Sequence, residues 1–120
     1  MLFGSGPSVV PHFASGKLRG IATTGLKRSM PELPAIAEFL PGYEVTQWYG
    51  ILVPAGTPKD IVDRLNKEVV RAVASPKVAQ LLTNLGTQPI TNTPDQFRAF
   101  IKSETDKWGK VIRAANIKAD

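Results

Sequence analysis

At 120 residues with an apolar fraction of 42%, the chain is long enough for one domain with a core of its own. No run approaches the roughly 18 apolar residues of a membrane helix, and the absence of cysteine excludes disulfides, thiolate nucleophiles and sulfur-ligated metals. The net charge of +5 comes from Lys and Arg scattered from Lys17 to Lys118 among acidic residues, a pattern of solvated faces and not the clustered footprint of nucleic-acid binding, although it also suits an anionic small ligand.

The opening Gly4-Ser5-Gly6-Pro7-Ser8 reads as loop, and Val9-Val10-Pro11-His12-Phe13 as a short apolar piece that is no complete first element. Met1-Leu2-Phe3-Gly4-Ser5-Gly6 has neither the basic start nor the apolar body of a signal peptide. Leu18, Ile21 and Ala22 predict a short strand over 17–24, weakened by Gly20, with Thr23 and Thr24 at its carboxyl end. Residues 27–34 are polar and proline-punctuated, a loop, and 35–39 has room for little more than one helical turn before Pro41-Gly42.

The β-favouring run Val45-Thr46-Gln47-Trp48-Tyr49-Gly50-Ile51-Leu52-Val53 predicts a buried strand that feeds a helix through Pro54-Ala55-Gly56. Thr57 is placed to cap that helix, Pro58 suits its first turn, and Asp60 is placed to complete a capping box. Ile61, Leu65, Val69 and Val73 then recur every fourth residue and carry the helix to about Ala74. Ser75-Pro76 starts a second helix that ends at Gly86, a candidate left-handed terminator. After a strand predicted over 88–91, Thr93-Pro94-Asp95-Gln96 opens a long final helix with Phe97, Phe100, Ile101, Trp108, Val111, Ile112 and Ala115 on its core face.

Catalytic constellations are not found in the sequence. His12 is the one histidine and has no companion for a triad or a three-ligand metal site. Gly4-Ser5-Gly6 is not a nucleophile elbow, and no glycine-rich phosphate cradle is present. Glu104 and Asp106 among Lys102, Lys107 and Lys110 read as helix-face ion pairs. Trp48 and Tyr49 are more informative, because neighbours on a strand face opposite sides, so one of the two is available to line a cleft.

Ser15-Gly16-Lys17-Leu18-Arg19, Pro31-Glu32-Leu33-Pro34 with Ile36-Ala37-Glu38, the run from Trp48 to Pro58, Leu65-Asn66-Lys67-Glu68, Leu85-Gly86 and Lys107-Trp108-Gly109-Lys110-Val111 occur in an order and spacing that resemble one family. It is the periplasmic solute-binding proteins of tripartite tricarboxylate transporters, also called Bug receptors. Ala35 stands where that family commonly has Thr, which removes a helix cap, and Gly20 where Ala is usual.

The resemblance implies an α/β fold, part of a two-lobed type II periplasmic-binding-protein architecture with the C-terminal helices packed on a mixed sheet. Residues 1–43 would be a remnant of the second lobe with its return segment, and 44–120 the C-terminal part of the first. It further implies a receptor and not an enzyme, a small carboxylate ligand, no cofactor or metal, membrane permease subunits as partners, no nucleic acid, and a periplasmic location for the full-length protein, of which this chain would be a C-terminal portion. Thr23, Thr24, Trp48 and Tyr49 are the candidate ligand residues. The rival reading is a free-standing cytoplasmic α/β domain whose long last helix docks a partner.

Overall fold

The computed structural model describes residues 1–118. Among these described residues there are four α-helices, α1 (Gly6–Phe13), α2 (Lys59–Val73), α3 (Pro76–Asn84) and α4 (Pro94–Ala114), and one 3-10 turn at Ile36–Glu38. By contact the chain divides into two units. One comprises Met1–Val53 and Ala72–Pro89, and the other Pro54–Arg71 with the described residues from Ile90 onward.

The three C-terminal helices follow their predicted limits closely, but the three Ser/Thr-Pro starts work differently. At α4 the Thr93 hydroxyl accepts the Gln96 N–H at 3.2 Å while Gln96 Oε1 accepts the Thr93 N–H at 2.9 Å, a complete capping box. At α2 and α3 the hydroxyls turn the other way. Thr57 Oγ1 donates to Pro54 O at 2.8 Å and Ser75 Oγ to Ala72 O at 2.7 Å. The expected Thr57–Asp60 capping box is therefore replaced by a local turn bond three residues back, the competition with the backbone that Ser and Thr offer.

The helix ends are specified more strictly. Gly86 has φ +67°, its N–H donates to Thr83 O at 2.9 Å, and the Thr87 N–H donates to Leu82 O at 2.9 Å. These two bonds form a Schellman stop with glycine in the left-handed position. Asn116, at φ 51°, makes the same stop for α4, with Asn116 N–H to Arg113 O and Ile117 N–H to Ile112 O.

Two expectations need correction. Residues 6–13 form a helix where a loop and an apolar stub were expected. Pro7 lies in its first turn, where no intrahelical N–H is needed, and Pro11 comes late enough to break little of so short a helix. Gly6 lets its start approach the end of α3: a Cβ at Gly6 would lie 2.4 Å from Leu85 O and 3.1 Å from Gly86 O.

The second correction concerns the sheet. Among the described residues, none of the predicted segments 17–24, 45–53 and 88–91 forms a strand, and the β-pairing present is one parallel bridge between Thr23 and Ala35. A strand is defined by a neighbour about 4.8 Å away that takes up its N–H and C=O groups. β-propensity alone supplies no such neighbour. Val45 donates its N–H to Thr24 O at 2.9 Å, while the N–H groups of Thr46, Gln47 and 49–53 make no backbone bond among the described residues.

Burial follows from this. Ala35 (0% exposed) and Thr23 (7%) are the buried residues, and no large side chain is fully enclosed among the described residues. The apolar stripe of α2 is open at Ile61 and Leu65 and half-buried at Val69 and Val73; that of α4 is half-buried at Phe97, Phe100, Ile101 and Trp108 and open at Val111 and Ile112.

Candidate functional site

A connected set of polar contacts lies around the Thr23–Ala35 bridge. Thr23 donates its N–H to Pro34 O at 2.8 Å and its carbonyl accepts the Ile36 N–H at 2.9 Å. Its hydroxyl is 3.4 Å from the same Pro34 oxygen. Both backbone groups and the side chain of Thr23 thus meet the 34–36 backbone, which accounts for its burial.

The 3-10 turn that follows is clamped by one carboxylate. Glu38 Oε1 accepts the Ala35 N–H at 2.8 Å and Arg28 Nε at 2.8 Å, and Oε2 accepts Arg28 Nη2 at 2.7 Å. Arg28 also donates to Pro31 O at 3.2 Å. The Arg28 hydrogen bonds, together with the Ala35 N–H, hold the Glu38 carboxyl at about 2, well below its ordinary value. Ala35 lacks a capping hydroxyl, as noted from the sequence, yet the turn keeps the reciprocal half of a cap because Glu38 reaches back to the Ala35 N–H.

Thr24 follows directly, half-buried, with its carbonyl tied to Val45 N–H. That bond brings the end of the 17–24 segment to the start of the run holding Trp48 and Tyr49. Trp48 is 40% exposed and Tyr49 66%. Thr23 and Thr24 are thus assembled with the beginning of the 45–53 segment in one unit, Thr23 enclosed and the two aromatic residues open to solvent. Sequence reasoning missed the Arg28–Glu38 clamp. Its ten-residue separation leaves no helical or strand periodicity to betray it, and the signal available was the polar turn between two prolines.

In the other unit a shallow recess of about 260 Å³ is lined by Asn66 and Val70 of α2 and by Thr91, Asn92, Thr93 and Gln96 at the start of α4. Asn66 Nδ2 donates to Asn92 O at 2.9 Å, and the Thr93–Gln96 box occupies its rim. These groups satisfy one another. Farther along α4, Glu104 accepts Trp108 Nε1 at 2.9 Å and Lys107 Nζ at 3.4 Å, with the Lys107 ammonium 5.3 Å from the Trp108 ring centre. Trp108 is accordingly a half-buried packing residue with a satisfied indole. Among the described residues no group of three or more His, Asp or Glu is placed to hold a metal ion, and no helix is long and apolar enough to cross a membrane.

Comparison with known proteins identifies the lineage. The tripartite tricarboxylate transporter family receptor matches residues 1–117. The chain belongs to that family. It is 38% identical over 116 residues to a Pseudomonas sp. protein of the tcbD-tcbE intergenic region, and 34% identical over 115 residues to the Bordetella pertussis protein BugT. Each alignment takes in 93% of this chain, but 34% and 35% of those proteins. The chain thus spans about a third of the length of these curated relatives. Among solved structures, an R. palustris protein with adipate superposes at a TM-score of 0.84, and the periplasmic binding protein BugD at 0.81. Both are 33% identical to this chain, and each superposition takes in 92% of it and 38% of the other protein.

With these likenesses the chain has part of a periplasmic-binding-protein fold, as expected from the sequence, with its helices present; the expected mixed sheet is not formed among the described residues, where the β-pairing is the Thr23–Ala35 bridge.

Proposed function

We propose that this chain serves as part of an extracytoplasmic solute receptor that binds a small carboxylate and presents it to the membrane permease subunits of a tripartite transporter. The observation that carries the reading is the TM-score of 0.84 over 92% of the chain to a protein whose structure holds adipate. In this reading residues 1–43 belong to the second lobe and 44–120 to the first, and the receptor works in the periplasm, without a cofactor and without catalysing a reaction. Binding follows from lobe closure: a ligand that touches both lobes favours the closed form by its differential affinity for it.

On this chain the contacts are assigned to Thr24, Trp48 and Tyr49, with Thr23 fixing the backbone from which Thr24 projects. The Thr24–Val45 hydrogen bond supports that grouping, since it joins the two segments that carry the four residues. The net charge of +5 also favours the approach of an anion.

The test is an amide-resolved NMR titration of the 120-residue chain with adipate and citrate, using glucose and chloride as references. NMR is chosen because the chain spans about a third of its relatives and millimolar affinity is the expected strength. Saturable shifts at Thr24, Trp48 and Tyr49 with the carboxylates alone support the proposal. Saturable shifts with glucose, or carboxylate shifts that chloride reproduces, refute it.

A further inference from the structure

Among the described residues, the backbone bond by which the 17–24 segment meets the 45–53 segment is Val45 N–H to Thr24 O, at 2.9 Å. A Cβ on Gly25 would lie 3.8 Å from Thr46 Cγ2, so the two segments stay side by side one residue further on. Val45 is itself open, at 37% exposure, and protection of its N–H therefore reports the bond and not burial.

The junction is held from a distance. Thr23, next to Thr24, uses both of its backbone groups on Pro34 O and the Ile36 N–H. In a parallel bridge one residue bonds to the two that flank its partner, which leaves the Ala35 N–H for another acceptor. Glu38 Oε1 takes it at 2.8 Å. The turn that presents Glu38 is three residues long, a 3-10 piece too short to be stable by its own bonds.

Arg28 completes the arrangement. Its bonds to the Glu38 carboxylate, at 2.8 and 2.7 Å, and to Pro31 O, at 3.2 Å, tie the loop before the bridge to the turn after it. Exposed ion pairs ordinarily contribute little, and a bidentate arginine–carboxylate pair is the exception because both bonds must be broken together. All of these residues lie in the unit that comprises Met1–Val53 and Ala72–Pro89.

We propose that Glu38 is a positioning residue for the candidate site, holding the Thr24–Val45 junction in place through the Ala35 N–H and Arg28 without touching a ligand. Its effect on affinity rests on the carboxylate reading above, whereas its hold on the junction does not. Removing the carboxylate releases the Ala35 N–H and both Arg28 bonds at once. The 34–36 backbone then loses the support on its outer side, and Thr23 and Thr24, which are bonded to it in sequence, lose their fixed place against Val45.

Amide hydrogen exchange on the 120-residue chain, with an adipate titration beside it, tests both parts. Glu38→Ala is expected to speed exchange at Val45 by about fivefold or more, the ratio equivalent to the net contribution of one ordinary hydrogen bond, and to weaken adipate binding by a similar factor. Glu38→Gln keeps an acceptor for the Ala35 N–H and is expected to recover most of the Val45 protection and of the adipate affinity. The Leu85 amide, bonded to Leu81 O in the same unit, is the internal reference and should exchange at the native rate in both variants.

Native exchange at Val45 in Glu38→Ala overturns the proposal. Equal acceleration at Val45 and Leu85 also overturns it, because the unit then opens as a whole and Glu38 is a general stabiliser. Faster exchange at Val45 with unchanged adipate affinity refutes the link to the site. If the native chain gives no saturable shift with adipate, the carboxylate reading fails separately, and the comparison of Val45 with Leu85 still decides whether Glu38 holds the junction.

Discussion

Replacing Gly6 with Ala sets two physical effects against each other with opposite signs. Within a helix the substitution ordinarily stabilises by roughly 0.5–1 kcal/mol, because alanine loses less conformational freedom on folding. In this structure the new Cβ would sit 2.4 Å from Leu85 O and 3.1 Å from Gly86 O. Both obstacles are backbone atoms of the stop that ends α3, and neither can rotate away as a side-chain tip would. Restoring ordinary contact requires α1 and the end of α3 to separate by about an ångström, an overpacking that typically costs about 1–3 kcal/mol. The net expectation is a loss of about 1–2 kcal/mol, which lowers Tm by roughly 4–15 °C in a unit of this size. Thermal and urea unfolding followed by circular dichroism give the measurement. Gly16→Ala is the control, since φ there is +68° but nothing lies within 4 Å, so backbone strain acts without any clash. If Gly6→Ala melts at or above the native temperature, the close approach of α1 to α3 is wrong.

The Thr93→Ala substitution removes the side-chain acceptor of the α4 cap and should cost about 1 kcal/mol, read as faster hydrogen exchange in the first turn of α4; Ser75→Ala, whose hydroxyl caps nothing, should leave the first turn of α3 unchanged. The Glu38 carboxyl is lowered to about 2, so its contribution to stability is present in full above the ordinary carboxylate value and disappears as pH falls through about 2. Melts of the native chain between pH 5 and pH 2 should therefore decline more steeply than those of Glu38→Gln, and parallel curves would show that the clamp contributes nothing. Thr24→Val should abolish the adipate-dependent shifts at Trp48 and Tyr49 while the melting curve stays within about 0.5 kcal/mol of native, because the Thr24 carbonyl that accepts the Val45 N–H is kept; shifts that persist would move the ligand elsewhere.

What the sequence reveals here is what short-range physics decides. Ile61, Leu65, Val69 and Val73, Ser75-Pro76 before Leu81 and Leu82, and Thr93-Pro94 before Phe97 mark three helices because helical spacing, first-turn proline and glycine stops act within a few residues. The helix α1 escaped the same reasoning because Gly6 and Pro11 argue against it; the close approach to Leu85 O on a distant part of the chain is the reason for Gly6, and Pro11 is tolerated because it comes late in so short a helix. The Asn116 stop was missed because asparagine adopts the left-handed region less often than glycine does. Strand propensity at 45–53 was read correctly as composition and wrongly as pairing, since a strand depends on a partner that no local pattern encodes. For the candidate ligand residues the sequence supplied position along the chain, and the structure added that Thr23 is enclosed and that Thr24 is bonded to Val45. The Arg28–Glu38 clamp depends on a loop conformation and left no trace in periodicity.

The bridge between Thr23 and Ala35 sets an order of events for a chain folding from its unfolded state. Its bonds join residues separated by about a dozen positions, whereas the approach of Gly6 to Leu85 must close a loop of roughly eighty. Closure entropy grows as 1.5RT times the logarithm of loop length, so the longer loop costs about 1.7 kcal/mol more and its ends meet some fifteen- to twentyfold less often. The 23–38 island, with its arginine clamp, is therefore the part able to organise first, and α1 must wait for the end of α3 to exist before it has anything to pack against. A substitution at Glu38 should accordingly slow refolding, while Gly6→Ala should chiefly hasten unfolding.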